Sequence, residues 1–355
     1  MFDTDVFVIG GGPAGLAAAI AARRKGLSVV LAEGTKPPVD KACGEGLMPH
    51  ALEAAGSLGI FIPPVQGAYF RGIRFLTSGV SVAADFPHGA GWGMRRTALH
   101  QLLIEEAERC GVELLWETPI TSLDRIRARW MVGADGGQSR VRKWAGLDGA
   151  RESSRFGFRR HFRLAPWTDY VEVYWGAGFQ IYVTPVGVEE VCVALISRDP
   201  HQRLEQSLSE FPDLQGRLSG ASFSSSDRGA ASATRRLKSV CCGKVALVGD
   251  ASGSVDAVTG EGICLSFQQA QAWADAIERG DLAAYQEAHD RISRRARLMS
   301  SLLLTLDRFP LLRTRVLKAF ARRPELFERT LGIHVGVGGI TEIAAAGLAL
   351  GAELI

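Results

Sequence analysis

Gly10, Gly12 and Gly15 stand in G-x-G-x-x-G spacing within VIGGGPAGLAAA, with Pro13 and Ala14 filling the gap before the third glycine. That spacing suits a pyrophosphate. A first glycine makes a tight turn, a second lets phosphates approach the backbone, and a third lets a helix pack closely on the preceding strand. A helix starting there turns unpaired N–H groups and a partial positive charge on the phosphates. Glu33 ends LSVVLAE (27–33), where its carboxylate can accept hydrogen bonds from ribose hydroxyls and its charge would repel a 2′-phosphate. A second group, KACGEGLMPH (41–50), sets Cys43 beside Gly44 and Gly46 with little hydrophobic periodicity. Cys43 could be a redox group, a metal ligand or a small residue in a tight loop. No partner cysteine stands at C-x-x-C spacing, and nothing nearby points to a metal.

The elements that must position these residues begin with DVFVIG (5–10), a β-branched and aromatic run that reads as a buried parallel strand. AGLAAAIAARRKG follows as a helix of strong formers stopped at Gly26, and LSVVLAE is a second strand. Strand, glycine turn, helix and strand make a βαβ unit. Residues 65–93, with GIRFL and VSVAADF, read as strands of another sheet; TALHQLLIEEAERCG is helical, and VELLW and RWMVGADG are strands. From 151 to 198 the runs FGFRRHFRL, YVEVYW, FQIYVTPVG and EEVCVALIS predict an antiparallel sheet. KVALVGD (244–250) is again a parallel-type strand, with a helix from about Gly262 to Arg279, and residues 281–330 are helical.

Two later motifs bear on which dinucleotide is bound. VGADGGQSRVR (132–142) and VALVGDASGSVDAVTGEGI (245–263) follow the glycine turn in order. With them the chain resembles the FAD-dependent oxidoreductase superfamily of aromatic hydroxylases, flavin-dependent halogenases and geranylgeranyl reductases. The resemblance implies an α/β fold: a Rossmann-like FAD-binding domain with a parallel sheet, an inserted antiparallel β-sheet substrate domain and a helical C-terminal tail. The expected boundaries are 1–64, 94–150 and 240–300 for the discontinuous FAD domain, 65–93 and 151–239 for the substrate domain, and 301–355 for the tail.

By the same resemblance Asp250 binds a ribityl hydroxyl. The turn through Gly260, Glu261, Gly262 and Ile263 points a helix N-terminus at the pyrimidine end of the flavin, where reduced flavin carries negative charge. RRTALHQLL matches an R-x-x-L-H element in which Arg96 reaches the cofactor. Asp135 and Gly136 brace the cofactor loop, Arg142 serves structure, and the backbone at Ile120 meets the adenine. CGEGL (43–47) matches the loop that lies close to the isoalloxazine in the reductase branch. Glycines there let the backbone approach a flat ring. Cys43 and Gly44 then line the flavin or substrate pocket, with simple packing and an active thiol as the other readings of Cys43.

The chain departs from the family at Ala257, where a proline is frequent, and on the substrate strand. Where prenyl-chain reductases carry an aromatic-rich Y-x-W-x-F-P strand, this sequence has Gln180, Tyr182 and Thr184 before Pro185. The halogenase W-x-W-x-I-P signature is missing as well. The expectation therefore leans to a monooxygenase acting on a hydrophobic or aromatic small molecule through a reduced-flavin/oxygen adduct, with His161 or Tyr182 as base. The alternative is a carbon–carbon double-bond reductase of the geranylgeranyl reductase type, with hydride from flavin N5 and Cys43 or Tyr182 as proton donor. A catalytically idle FAD-binding protein is the third reading. Cys43 and Tyr182 are the catalytic candidates; Phe179, Trp175 and Trp92 are either pocket or core. No second G-x-G-x-x-G marks a separate nicotinamide domain, so NAD(P)H is expected as a transient electron donor.

Composition sets the outer bounds. A chain of 355 residues exceeds one typical domain, and 46% hydrophobic residues exclude disorder. A net charge of +3, with no basic run interleaved with aromatics, implies no nucleic-acid partner. Six cysteines without C-x-x-C spacing indicate neither a disulfide framework nor a zinc site, which fits a reduced, cytoplasmic setting. The opening MFDTDVFVIG has no basic or apolar signal-peptide region. The C-terminal IHVGVGGITEIAAAGLALGAELI is interrupted by His334, Glu342 and Glu353, and reads as a packed or interfacial tail capable of peripheral membrane contact.

Overall fold

The computed structural model describes residues 3–64 and 66–354. Its first layer is a six-stranded sheet in the spatial order 241–242, 245–247, 128–133, 4–9, 29–32, 113–115. All neighbours run parallel except the 241–242 edge pair. Val6, Val8 and Leu31 are fully buried, as expected for parallel strands covered on both faces. Helix α1 (Pro13–Arg24) is the βαβ crossover. Proline at its start costs no hydrogen bond, and Gly26, at φ +79°, ends it in the left-handed region. Helices α2 (Pro49–Ser57), α3 (Arg96–Arg109) and α4 (Gly262–Glu278) complete this layer.

The second sheet has seven strands in the order 228–235, 151–163, 190–197, 179–187, 170–175, 72–77, 80–85. Its neighbours are antiparallel apart from 170–175 against 72–77. Alternation along these strands divides two environments. Tyr174, Ile181 and Val183 pack on one face against two short helices, 204–208 and 212–218. Val171, Val173, Trp175 and Tyr182 turn to the other, toward the C-terminal helices. Those are α5 (Leu282–Arg308), α6 (Pro310–Arg322), α7 (Pro324–His334) and α8 (Ile340–Leu354).

The architecture is the α/β arrangement with an antiparallel sheet and helical C-terminal region that the motifs imply. A third, three-stranded sheet (46–47, 91–93, 68–70) was not foreseen. It converts Gly46–Leu47 within KACGEGLMPH from loop to strand, pairing Gly46 with Gly93. Gly93 has no room for a side chain, because a Cβ there would lie 1.8 Å from the Pro185 carbonyl oxygen. The last helix, α8, folds back, with Arg322 and Arg323 bound to Glu353. Among the described residues no helix is long and apolar enough to cross a membrane.

Candidate functional site

Where the parallel sheet meets the second sheet, a cavity of about 1090 Å³ opens. Small-molecule sites usually span roughly 300–1,000 Å³. Every residue singled out as a cofactor or catalytic candidate lines it, with the exceptions of Gly15 and the candidate base His161. One part is built from Gly10, Gly12, Glu33 and Ile120, the next from the turns around Cys43 and Gly260, and the last from the second sheet and α5–α7.

The glycines separate into two kinds. Gly10 (φ +111°) and Gly15 serve the fold: a Cβ on Gly10 would sit 2.5 Å from the Ala134 oxygen, and one on Gly15 only 1.8 Å from the Gly10 oxygen. Gly12 is different. Its φ of −72° and ψ of 178° suit any residue, and an added Cβ meets nothing within 4 Å. Gly44, Gly137 and Gly262 on the same wall are likewise open without a left-handed φ. Glycine at these positions answers to what fills the cavity. In addition, Arg96 Nε and Asp135 Oδ1 are buried with no partner within the protein, a cation and an acceptor suited to phosphate and hydroxyl groups. The residues present therefore fit FAD.

The turns are braced by side chains. Glu33 accepts from Gly11 N through Oε2 at 2.8 Å, and from Thr35 N and Oγ1 through Oε1 at 2.9 Å. His100, the histidine of the R-x-x-L-H element, has Nε2 2.7 Å from the Gly11 oxygen. Burial lowers its pKa, so the ring is neutral and donates. Asp135 Oδ2 caps the next turn by accepting from Arg140 N and Val141 N at 2.6 and 3.1 Å. Arg142 is buried and ties Asp148 to the Ala251 and Gly137 carbonyls, a structural role. Asp250 remains half exposed, 3.3 Å from Lys41 Nζ.

The loop at Cys43 is held by a residue absent from the sequence-based candidates, Glu45. Its φ of +60° is left-handed, and its side chain turns into the protein with 1% exposure. Oε1 accepts from Arg96 N at 2.9 Å, and Oε2 lies 2.6 Å from His161 Nε2. Arg159 donates to His161 Nδ1 at 3.0 Å, which fixes the proton of a neutral His161 on Nε2, facing Glu45. Arg159 also pairs with Asp40. Thr184 Oγ1 donates to the Gly44 oxygen at 2.8 Å, and Met94 N to the Glu45 oxygen at 3.0 Å.

Glu45, His161 and Cys192 form the one group, among the described residues, close enough to share a metal. The short Glu45–His161 hydrogen bond, the adjacent guanidinium and a Cys192 thiol whose pKa burial raises make it an anchor instead. His161 does not line the cavity, which removes it as a base for substrate. Cys43 does line it, with Sγ accepting from Glu45 N at 3.4 Å.

A second unforeseen network lies on the second sheet. Buried Arg155 binds Asp256 at 3.1 Å, Asp307 at 2.8 Å and Gln180 at 3.1 Å, joining the turn before α4 to the end of α5. The signal was charge on an inward face: Arg155, Arg159 and His161 alternate with period two within RFGFRRHF. Tyr182 Oη donates to the Val258 oxygen at 2.9 Å, and burial raises its pKa, so it stays protonated. Of the remaining aromatics, Trp175 lines the cavity, whereas Phe179 and Trp92 do not.

Fold and cavity together define an oxidoreductase of the FAD-binding Rossmann class. The FAD-dependent oxidoreductase family model matches residues 5–37. Menaquinone reductase of Mycobacterium tuberculosis is 28% identical, with 86% of this chain and 85% of that protein covered. Digeranylgeranylglycerophospholipid reductase 1 of Methanothermobacter thermautotrophicus is 26% identical, with 86% and 88% covered. In fold, a geranylgeranyl bacteriochlorophyll reductase-like protein of Thermoplasma acidophilum matches with a TM-score of 0.77 at 21% identity, covering 99% of this chain and 97% of that one. A flavin-dependent brominase matches at 0.83 and 17%, covering 98% of each chain. In sequence and in fold the chain is therefore similar to FAD-dependent oxidoreductases over most of its length.

Proposed function

We propose that the chain saturates carbon–carbon double bonds in a prenyl-type lipid, with NAD(P)H as transient electron donor. The observation that carries this reading is the far part of the cavity, walled by Ile73, Phe75, Trp175, Leu303, Val316 and Phe327. A wall of this kind selects a long apolar occupant and excludes water. Bound, reduced FAD supplies the hydride. The chain's own residues hold the alkene in a dry channel and set the Cys43 and Gly260 turns against the ring.

The residues that depart from the prenyl-reductase pattern on strand 179–187 have other roles, which supports a prenyl substrate. Gln180 donates to Asp307 and Thr184 secures Gly44, while Phe75, Trp175 and Phe327 supply aromatic cover from neighbouring elements. Two relatives that match most of the chain are named for prenyl-bearing lipids. What favours the reductase over the monooxygenase is that His161 faces Glu45 and that Tyr182 donates to Val258 and is held protonated. The test is anaerobic incubation of the photoreduced holoprotein with menaquinone or geranylgeranyl lipids. Reoxidation of the flavin with a gain of two hydrogens per double bond is expected. Reoxidation by oxygen alone, with an oxygen atom placed in an aromatic substrate, would establish the hydroxylase instead.

The same reading includes contact of a cytoplasmic protein with a lipid surface. The face in question is the corner between α5 and α6. Leu302, Phe309 and Leu311 are 48, 52 and 84% exposed there. Arg308, Arg315 and Lys318 are exposed beside them, with no carboxylate partner among the described residues. Leu302 and Thr305 are both exposed and part of the cavity wall, so the channel reaches the surface at this corner. Apolar side chains ringed by cations suit an anionic bilayer, each cation contributing about 1 kcal/mol near the surface. The wild-type protein is expected to sediment with phosphatidylglycerol vesicles and only weakly with phosphatidylcholine vesicles. Replacing Phe309 and Leu311 together by Asp should leave it in the supernatant; equal sedimentation of both proteins would remove this face.

A further inference from the structure

One buried cluster of titratable groups has polar atoms that neither the glycine turns nor the apolar channel accounts for. Glu261, at the N-terminal cap of α4, has a side chain 1% exposed, and neither carboxylate oxygen has a hydrogen-bond partner. Three elements converge on it. His50 from α2 brings Nε2 to 3.4 Å from Oε1 without hydrogen-bond alignment. Arg295 from α5 brings Nη2 to 3.8 Å from Oε1, and His334 at the end of α7 brings Nδ1 to 3.9 Å from Oε2. Both ring nitrogens of His50, His334 Nδ1 and Arg295 Nε also lack partners. Buried polar atoms are rarely left in this condition, and a group of them in one place marks bound water or a ligand.

The hydrogen-bond directions say which. His334 Nε2 lies 3.1 Å from the Thr259 oxygen and must donate to it. Burial lowers the His334 pKa against the opposing pull of Glu261, so the ring is neutral and its Nδ1 is a lone pair. Burial pushes Glu261 up, while His50 and the permanently charged Arg295 guanidinium draw it back down, so it is ionised. Two acceptors thus face each other at 3.9 Å, a gap that a water molecule donating to both would close. The other titratable groups around the cluster are Glu53 on α2 and Cys264 on α4, whose thiol burial keeps protonated.

We propose that Glu261, with His50 and His334, holds a water-bridged proton-transfer site that feeds the cavity. Glu261 and His334 both lie on the cavity wall, and the Arg295 side chain, 29% exposed, reaches toward solvent. The inference rests on the reductase reading for its purpose. Saturating a double bond breaks the π bond and forms two C–H bonds. One carbon takes a hydride with two electrons from the reduced cofactor, and the other takes a proton. The apolar channel offers no route for that proton, and the Tyr182 hydroxyl is engaged with Val258.

The test follows proton uptake without any alkene. FAD-loaded protein is photoreduced in weak buffer with a pH-indicator dye, and dye and flavin absorbance are recorded together. In the wild-type protein uptake should keep pace with flavin bleaching; in Glu261→Gln and His334→Asn it should lag by about tenfold or more. Uptake that keeps pace in both variants overturns the relay and leaves alkene reduction untouched. A lag in a protein that saturates no alkene keeps the relay and sinks the reductase reading. Should Glu261→Gln fail to retain FAD, ¹⁵N imidazole shifts of the wild-type apoprotein decide. A neutral His334 with its proton on Nε2 and Nδ1 accepting a hydrogen bond supports the site. A proton on Nδ1, bonded directly to Glu261, overturns it.

Discussion

Gly12→Val yields a folded, soluble protein that no longer takes up FAD. Gly12 caps α1 in an extended conformation that valine also adopts, and a Cβ there meets no protein atom within 4 Å. The cost to the apoprotein is that of a poorer N-cap, within about 1 kcal/mol. The added isopropyl group instead occupies the face of the turn where a pyrophosphate must lie against backbone N–H groups. FAD affinity should fall by about a hundredfold or more, roughly 3 kcal/mol.

Gly15→Ala gives the opposite result at the same motif. Its Cβ would lie 1.8 Å from the Gly10 oxygen, so strand and helix must separate. Destabilisation of about 3 kcal/mol or more is expected before any ligand is added. Thermal unfolding of the apoproteins and fluorescence titration with FAD distinguish the two. Wild-type FAD affinity in Gly12→Val would mean that the dinucleotide does not cross this turn.

That contrast shows how far the chain could be read before its structure. The glycine turn, its strand and its helix were legible because their constraints are local: a phosphate turn, an alternating or continuous apolar run and a helix stop all lie within a few residues. The placement of Cys43, Gly44 and Gly260–Ile263 on one cavity with Gly12 followed from motif order. What holds those turns was not legible, because the partners are distant in sequence. Glu45 meets His161, Arg155 meets Asp307, and Glu261 meets His334 only after three layers have packed. A charged residue within an apolar strand announces that it has a partner without saying which one. The partners of the substrate strand were hidden for a related reason. Gln180 and Thr184 stand where the family pattern has aromatics; in the structure they make hydrogen bonds to Asp307 and Gly44, and the aromatics at 75, 175 and 327 line the cavity.

Glu45 carries the second large effect. Removing its carboxylate in Glu45→Ala leaves His161 and Arg159 facing an empty buried position and strips Arg96 N of its acceptor. Breaking a buried charged pair typically costs about 3–5 kcal/mol, and the Asp40 contact to Arg159 places this case at the lower end. Glu45→Gln should lose less, about 1–3 kcal/mol, because the amide oxygen can still accept from Arg96 N while its NH₂ meets the His161 Nε2 proton. A purely structural residue would change unfolding alone. An anchor of the loop beside the ring should also change the visible absorption and circular dichroism of bound FAD, and the Gln variant keeps enough fold for that measurement.

Glu45→Gly separates the anchor from the backbone. At φ +60° glycine relieves a left-handed strain of roughly 1–2 kcal/mol while deleting every side-chain contact. If the contacts hold the loop, Glu45→Gly will still lose stability and FAD, because relief of strain cannot offset a lost buried pair. If the glycine variant matches the wild-type protein in melting and flavin spectrum, the left-handed turn alone sets the loop and the Glu45–His161–Arg159 chain has no part in positioning it.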